Sequence, residues 1–306
     1  MIRERKNQIL ENVSQSIREI VAKISNDVFN DLQEIRLRSE RPLTAQNRDG
    51  LRFLRKDGTL SIGVANTYKA TRKDIEDTLE LMSESSVYAF LDEIKQGFIT
   101  IRGGHRIGIC GRVVSGELVG GESGEIINIR DISGINIRIA KEVIGSADRL
   151  IKRIYNGLIK NTLIISPPQC GKTTILRDIA RILGRDIKVG LVDERGEIAA
   201  VYKGVAQHDV GIHTDVLDLC PKHIGMIMLL RSMSPDVIIT DELATKNDLA
   251  AVSQVINSGV KIIASAHGFG LSDVGERLDL SVSRFERIVV LGKRNGPGTI
   301  EEIIDI

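Results

Sequence analysis

The sequence has no tryptophan, and aromatic residues make up only 3% of it. That scarcity removes the stacking platforms on which single-stranded nucleic acid is held and the aromatic belt of a membrane-spanning chain. Net charge is also missing. Lys and Arg number 42 against 41 Asp and Glu, a formal charge of +1. Divided at residue 150, the chain carries 23 basic and 22 acidic residues in its first part and 19 of each in its second. Neither part is a basic module, so there is no intrinsic nucleic-acid signature. No apolar run approaches the ~20 residues needed to cross a bilayer. The opening MIRERKNQIL carries charges where a signal peptide would have its apolar core. Only three cysteines occur, Cys110, Cys170 and Cys220. Their odd number and wide spacing give neither a disulfide framework nor a metal site, and point to reduced thiols in a cytosol. Repeats and low-complexity tracts are absent as well.

What is present is 306 residues with 42% hydrophobic content, enough for about two folded domains. The first stretch has helical periodicity: Ile9, Val13, Ile17, Ile20, Val21 and Ile24 recur with charges between them. Ile35 and Leu37 then alternate with Arg36 and Arg38, a strand pattern ended by Pro42. Asp57-Gly58 predicts a hairpin turn, and Thr71 predicts the N-cap of a helix over RKDIEDTLELM. GFITIRGGHRIGICGRVV and INIRIA (135–140) predict further strands. Residues 1–145 are thus expected to form a smaller α+β domain. From about Val143 the pattern changes. NTLIIS, KVGLVDE, DVIITDE, VKIIASAH and RIVVLGK are short β-branched runs with almost no polar alternation, as suits parallel strands buried on both faces. Helical segments such as TTILRDIARIL and PKHIGMIMLLR separate several of them. Residues 146–306 are therefore expected to be an α/β domain with a parallel central sheet.

Chemistry concentrates in that second domain. SPPQCGKTT (166–174) stands between a strand and a helix, the context of a phosphate-binding loop. Its residues Pro167, Pro168, Gln169, Cys170, Gly171, Lys172, Thr173 and Thr174 would surround a polyphosphate, with backbone N–H groups from all but the two prolines. Lys172 would reach the β- and γ-phosphates, Thr173 would give its hydroxyl to Mg²⁺, and Gly171 permits the close backbone approach. Ser166 stands where the G-x-x-x-x-G-K-[ST] pattern has its first glycine. DVIITDE (236–242) ends in Asp241, a candidate to hold Mg²⁺ through its water shell, and Glu242, a candidate to orient or deprotonate the attacking water. A third strand, KVGLVDERGEIA (188–199), empties into Asp193, Glu194 and Arg195. Strand C-terminal ends line the ligand crevice of such sheets, so these acids are expected at the same site, with Glu194 competing for the role of base. IIASAH ends at His267, placed to hydrogen-bond the γ-phosphate or its water and so to report nucleotide state. A capping role for His267 on the next helix is the plainer alternative. His105, His208, His213 and His223 suggest no metal site, and Met226, Met228 and Met233 suit helix packing.

Taken together and in this order, these segments resemble the RecA-like secretion and type IV pilus ATPases, with LVDERGEIA at the position of their Asp box and ASAHG at that of their His box. GFITIRGGHRIGICGRV, RDISGINIRIAKEVIG, PPQCGKTT, VDERGEIA, RSMSPDVIITDE and SAHG are more closely similar to the bacterial stage III sporulation protein AA family. The resemblance covers nearly the whole chain. It implies a RecA-like P-loop NTPase with ATP and Mg²⁺ as cofactors, a homo-oligomeric, hexameric ring, and a cytoplasmic place on the face of a membrane channel or secretion complex in endospore formation. Many secretion ATPases have Gly-Glu where this chain has Asp241-Glu242. Their Asp-box acid favours Glu194 as base, whereas the Asp-Glu ending favours Glu242, which is placed first. A ring also invites arginines supplied in trans. Arg102 and Arg112 are the leading candidates among Arg102, Arg106, Arg112, Arg130 and Arg138, because glycines beside them allow close approach. Competing readings are a nucleic-acid-stimulated RecA-like motor, a nucleotide switch that does not hydrolyse, and a small-molecule kinase. Near-neutral halves oppose the first, the acids at 193–194 and 241–242 the second, and the lack of an arginine-rich lid segment the third.

Overall fold

The computed structural model describes residues 2–84, 91–95, 97–117, 123–155, 157–278 and 284–306. By contacts the chain divides between Lys141 and Glu142 into two compact units.

In the first unit the opening apolar residues do not make one continuous helix. Helices Ile2–Glu11, Gln15–Lys23 and Asn26–Asp31 follow one another instead. The break falls at Ser14, whose hydroxyl donates to Asp74 Oδ1 (2.9 Å) and whose N–H donates to Thr78 Oγ1 (3.0 Å). Those bonds require the chain to turn there. Ile9, Val13, Ile17, Ile20, Val21 and Ile24 are nonetheless all buried, so the stripe still seals a core. Each such burial contributes about 1.5–3 kcal/mol. Helix Arg72–Met82 starts at Thr71 with a complete capping box: Thr71 Oγ1 accepts from the Asp74 N–H, and Asp74 accepts from the Thr71 N–H. A seven-stranded antiparallel sheet completes the unit, in the order Leu60–Ser61, Gly50–Leu54, Thr44–Asn47, Glu34–Arg38, Ser123–Arg138, His105–Glu117, Phe98–Ile101. Ile35 and Leu37 are buried on one face while Arg36 and Arg38 stand on the other, as a period of two demands. His105 is a core residue. It is fully buried, its Nδ1 accepts the Ala140 N–H (3.0 Å), and its Nε2 lies 3.2 Å from Gln8 Oε1. Burial pushes its pKa down to about 4.

The second unit, Glu142–Ile306, is built on a mixed seven-stranded sheet. Its order is Thr214–Asp218, Val189–Asp193, Val237–Glu242, Lys261–His267, Thr162–Ser166, Arg287–Gly292, Thr299–Asp305. The first six strands are mutually parallel and the last is antiparallel to its neighbour. Successive residues of one strand enter opposite cores, which is why the runs show no polar alternation. Ile164 and Ile239 pack with Leu176, Ile179 and Leu183 of helix Lys172–Leu183. Leu163, Ile165 and Ile238 pack with Met226 and Leu229 of helix Lys222–Ser232 and with Val252 and Val255 of helix Lys246–Asn257. Helices therefore cover both faces, as parallel sheets require. The register aligns the strand ends. Ser166 pairs with His267, Glu242 with Ser265, and Val192 with Thr240. The C-terminal ends of four neighbouring strands thus lie at one level, and their terminal residues share one rim of the sheet.

Candidate functional site

The loop Pro167–Gly171 leaves the buried strand Thr162–Ser166 and enters helix Lys172–Leu183. Gln169 (φ +60°) and Gly171 (φ +81°, ψ +18°) are both left-handed. Glycine meets that demand at position 171 without strain. Such alternation turns successive N–H groups toward a common centre, and the N–H groups of the first helical turn have no intrahelical acceptor. Ser166, in place of a first glycine, is the last residue of the strand and fully buried with ordinary backbone angles. Cys170 is buried beneath the loop, whereas Pro168 and Gln169 are exposed. Lys172, Thr173 and Thr174 are half-buried on the opening turn.

Lys172 and His267 come together across the paired strand ends. The Lys172 ammonium donates to the Ser166 carbonyl (3.0 Å) and lies 2.5 Å from His267 Nδ1. An ammonium can only donate, so Nδ1 accepts and the proton belongs on Nε2. Nε2 in turn lies 3.0 Å from Glu242 Oε2, the acceptor it needs. Arg195 Nη1 stands 3.8 Å from the same Oε2. The following helix is Leu271–Leu278, and its Asp273 accepts the Phe269 N–H (2.9 Å).

Asp241 is the extra residue of a bulge, since Thr240 pairs with Ala264 and Glu242 with Ser265. It is only 8% exposed, and its Oδ1 is a buried oxygen without a hydrogen-bond donor. The Lys222 ammonium lies 3.5 Å from that oxygen, a Coulombic contact longer than a good hydrogen bond. Burial, with the charges of Asp193 and Glu194 added and Lys222 opposing, pushes the Asp241 pKa up to about 6. A buried carboxylate oxygen lacking a donor fits a divalent cation. Among the described residues no group of three or more His, Cys, Asp or Glu is arranged to hold a metal alone.

The acids of the third strand do not share one destination. Asp193 is fully buried and turns into its own loop, where it accepts the N–H groups of Glu197 (2.9 Å), Ile198 (2.8 Å) and Ala199 (2.8 Å). Arg177 clamps the same loop by donating to the carbonyls of Ile198 and Glu197, each at 2.6 Å. The expectation that both acids face Lys172 is therefore corrected for Asp193, because three amide donors satisfy it inside the turn. Glu194 is directed to Lys222, which donates to its Oε2. Burial alone would lower the Lys222 pKa, but the bond to Glu194 and the charge of Asp241 hold it above the ordinary lysine value. Sequence alone did not single out Lys222. The only signal it left was a lysine at the first position of an apolar helix, directly after Cys220-Pro221.

Arg102 and Arg112 belong to the first unit. Arg102 is exposed in the turn joining Phe98–Ile101 to His105–Glu117, and Arg112 is exposed opposite Arg130 beside a register shift.

The chain matches the family model described as Sporulation stage III, protein AA, over residues 3–306. It is 38% identical over 309 aligned residues to the Stage III sporulation protein AA of Bacillus subtilis (strain 168), covering 98% of this chain and 95% of that protein. Among solved structures it is similar to the pilus retraction motor PilT with bound ADP: TM-score 0.59, 14% identity, 85% of this chain and 74% of that one. It is also similar to the Legionella pneumophila ATPase DotB: TM-score 0.54, 16% identity, 85% of this chain and 72% of that one. At such identities the likeness is one of fold. No helix among the described residues is long and apolar enough to cross a membrane.

Proposed function

This chain belongs to the sporulation stage III protein AA family, and on that premise we propose that it is a Mg²⁺-dependent RecA-like ATPase powering a membrane-associated channel or secretion complex in endospore formation. The observation that carries the reading is the chain of contacts from the loop lysine to a strand-end carboxylate, Lys172 to His267 to Glu242. The fold shared with PilT and DotB supports it.

The roles follow from the geometry. ATP is held by the N–H groups of the 166–174 loop and by Lys172, whose ammonium exchanges the Ser166 carbonyl and the imidazole for phosphate oxygens. Thr173 and Asp241 would hold Mg²⁺. When bound, Mg²⁺ neutralises charge developing on the transferred phosphoryl group. Glu242 is the base that orients and deprotonates water. It is favoured over Glu194 by its partners: Glu194 is committed to the Lys222 ammonium, whereas Glu242 faces His267 on the P-loop side. Because Lys172 and Glu242 share one imidazole, arrival of phosphate at Lys172 alters the hydrogen bond that aims Glu242. His267 thereby links nucleotide occupancy to the position of the base. We assign the motor a cytoplasmic place as a hexameric ring on its membrane complex, with Arg102 and Arg112 supplied to a neighbour's nucleotide.

The test compares Glu242→Gln with Glu194→Gln. Glu242→Gln binds Mg-ATP but turns over about 10²–10⁴ times more slowly, the usual size of a general-base effect. Glu194→Gln retains most of the activity. If Glu194→Gln is the slower enzyme, the base assignment is exchanged. If Lys172→Ala binds ATP as tightly as the parent chain, the nucleotide reading itself fails.

A further inference from the structure

Lys222 is a buried cation that the proposed reaction does not use. It opens helix Lys222–Ser232, which packs on strand Val189–Asp193. The helix comes unusually near at Gly225, one turn after Lys222 and on the same side. A Cβ at that position would stand 2.6 Å from Val192 Cγ1. The missing side chain thus lets the helix start press on the strand end, and the lysine is laid across the rim with only 7% of its surface exposed. Its ammonium donates to Glu194 Oε2 and stands 3.5 Å from Asp241 Oδ1, the oxygen without a hydrogen-bond donor. A charge so enclosed is costly unless it neutralises something. Here it stands between two carboxylates, the half-exposed Glu194 and the buried Asp241, that would otherwise repel one another.

We infer that Lys222 is a positioning residue that acts as a tethered cation: it occupies the Glu194–Asp241 pair in the nucleotide-free protein and competes with the divalent ion for Asp241. The site therefore rejects a bare divalent cation and accepts one delivered on a nucleotide, whose phosphates supply the remaining oxygen ligands. The lysine keeps Glu194 turned to itself throughout, leaving Asp241 as the one exchangeable partner. This rests on the reading of Asp241 as a Mg²⁺ ligand.

The experiment follows Mn²⁺ binding to the full chain by the loss of its free-ion electron paramagnetic resonance signal, with and without ATP. The parent protein binds Mn²⁺ weakly alone and tightly with ATP. Lys222→Gln binds Mn²⁺ alone about tenfold or more tightly than the parent does, since a unit charge a few ångströms away acts through an effective dielectric of roughly 20 in such a site. Lys222→Arg restores the weak nucleotide-free affinity, which distinguishes a charge effect from lost packing. An unchanged or weakened nucleotide-free affinity in Lys222→Gln overturns the proposal. A parent protein that fails to take up Mn²⁺ even with ATP removes instead the reading of Asp241 on which it rests. Should Lys222→Gln not fold in chelator, Mn²⁺ decides: recovery of cooperatively melting protein when the ion is present supports the tethered-cation role, and failure in both conditions overturns it.

Discussion

Asp241→Asn should make the nucleotide-free protein more stable at neutral pH, and on the proposed function it should also abolish Mg-ATP turnover. The Asp241 carboxyl group is held at about 6 against an ordinary aspartate value of 3.8. That displacement is worth about 3 kcal/mol, at about 1.4 kcal/mol for each factor of ten. The side chain is 8% exposed, so solvent screening takes little from the figure. The sign is fixed by which state binds the proton more tightly. The folded protein does, so this group supports folding below the unfolded value near 3.8 and withdraws that support as pH rises through about 6. An amide never ionises and keeps the support at every pH. The variant should therefore melt roughly 6–12 °C above the parent at about pH 7.5 in chelator, at about 2–4 °C per kcal/mol for a unit of this size. The gap should narrow through about pH 6 and close near about pH 4, where the parent carboxyl is protonated in both states. Differential scanning calorimetry across that range, without nucleotide or metal, reads both the height and the closing of the gap. A variant no more stable than the parent at neutral pH would refute the expectation, as would a gap of constant size at every pH. Either result would mean that Lys222 compensates Asp241 fully and that Asp241 is not held in waiting for a cation.

Gly225→Ala should lower stability by about 1–3 kcal/mol, because the added Cβ meets Val192 Cγ1 at 2.6 Å and packed interiors resist such intrusion. A urea midpoint that does not fall, at unchanged slope, would show that the helix moves away from the strand at no cost. Specific ATPase activity should rise with protein concentration if Arg102 or Arg112 completes a neighbour's site. Light scattering alongside the assay identifies the species, and a constant specific rate down to a proven monomer excludes arginines in trans.

The parallel strands of the second unit's mixed sheet were legible because they are buried on both faces, whereas the antiparallel edge strand Thr299–Asp305 was not foreseen. Ile164 enters one core and Leu163 and Ile165 the other, so the run LIIS has no polar face to show. The broken helix at Ser14 was not legible. Periodicity records which residues are buried, and Val13 and Ile17 are both buried whether or not the helix is continuous. The break is made by Asp74 and Thr78, more than fifty residues away, accepting hydrogen bonds from Ser14. Thr71, by contrast, was legible as a cap because its partner Asp74 lies within the same turn.

The same distinction between local and distant partners divides the site. Asp241, Glu242 and His267 could be placed on the rim because each ends an apolar run, and where a run ends is written in the run itself. Which carboxylate faces which cation is not. Asp193 and Glu194 are adjacent, yet one turns back to the N–H groups of residues 197–199 and the other reaches a lysine 28 positions on. Asp193 ends the strand and is claimed by its own loop, whereas Glu194 opens the turn and is left for whatever lies across the rim. What lies there is decided by how near helix Lys222–Ser232 can come, and that depends on one absent side chain, at Gly225. The choice between Glu194 and Glu242 as base therefore depends on the packing of a helix that belongs to neither motif.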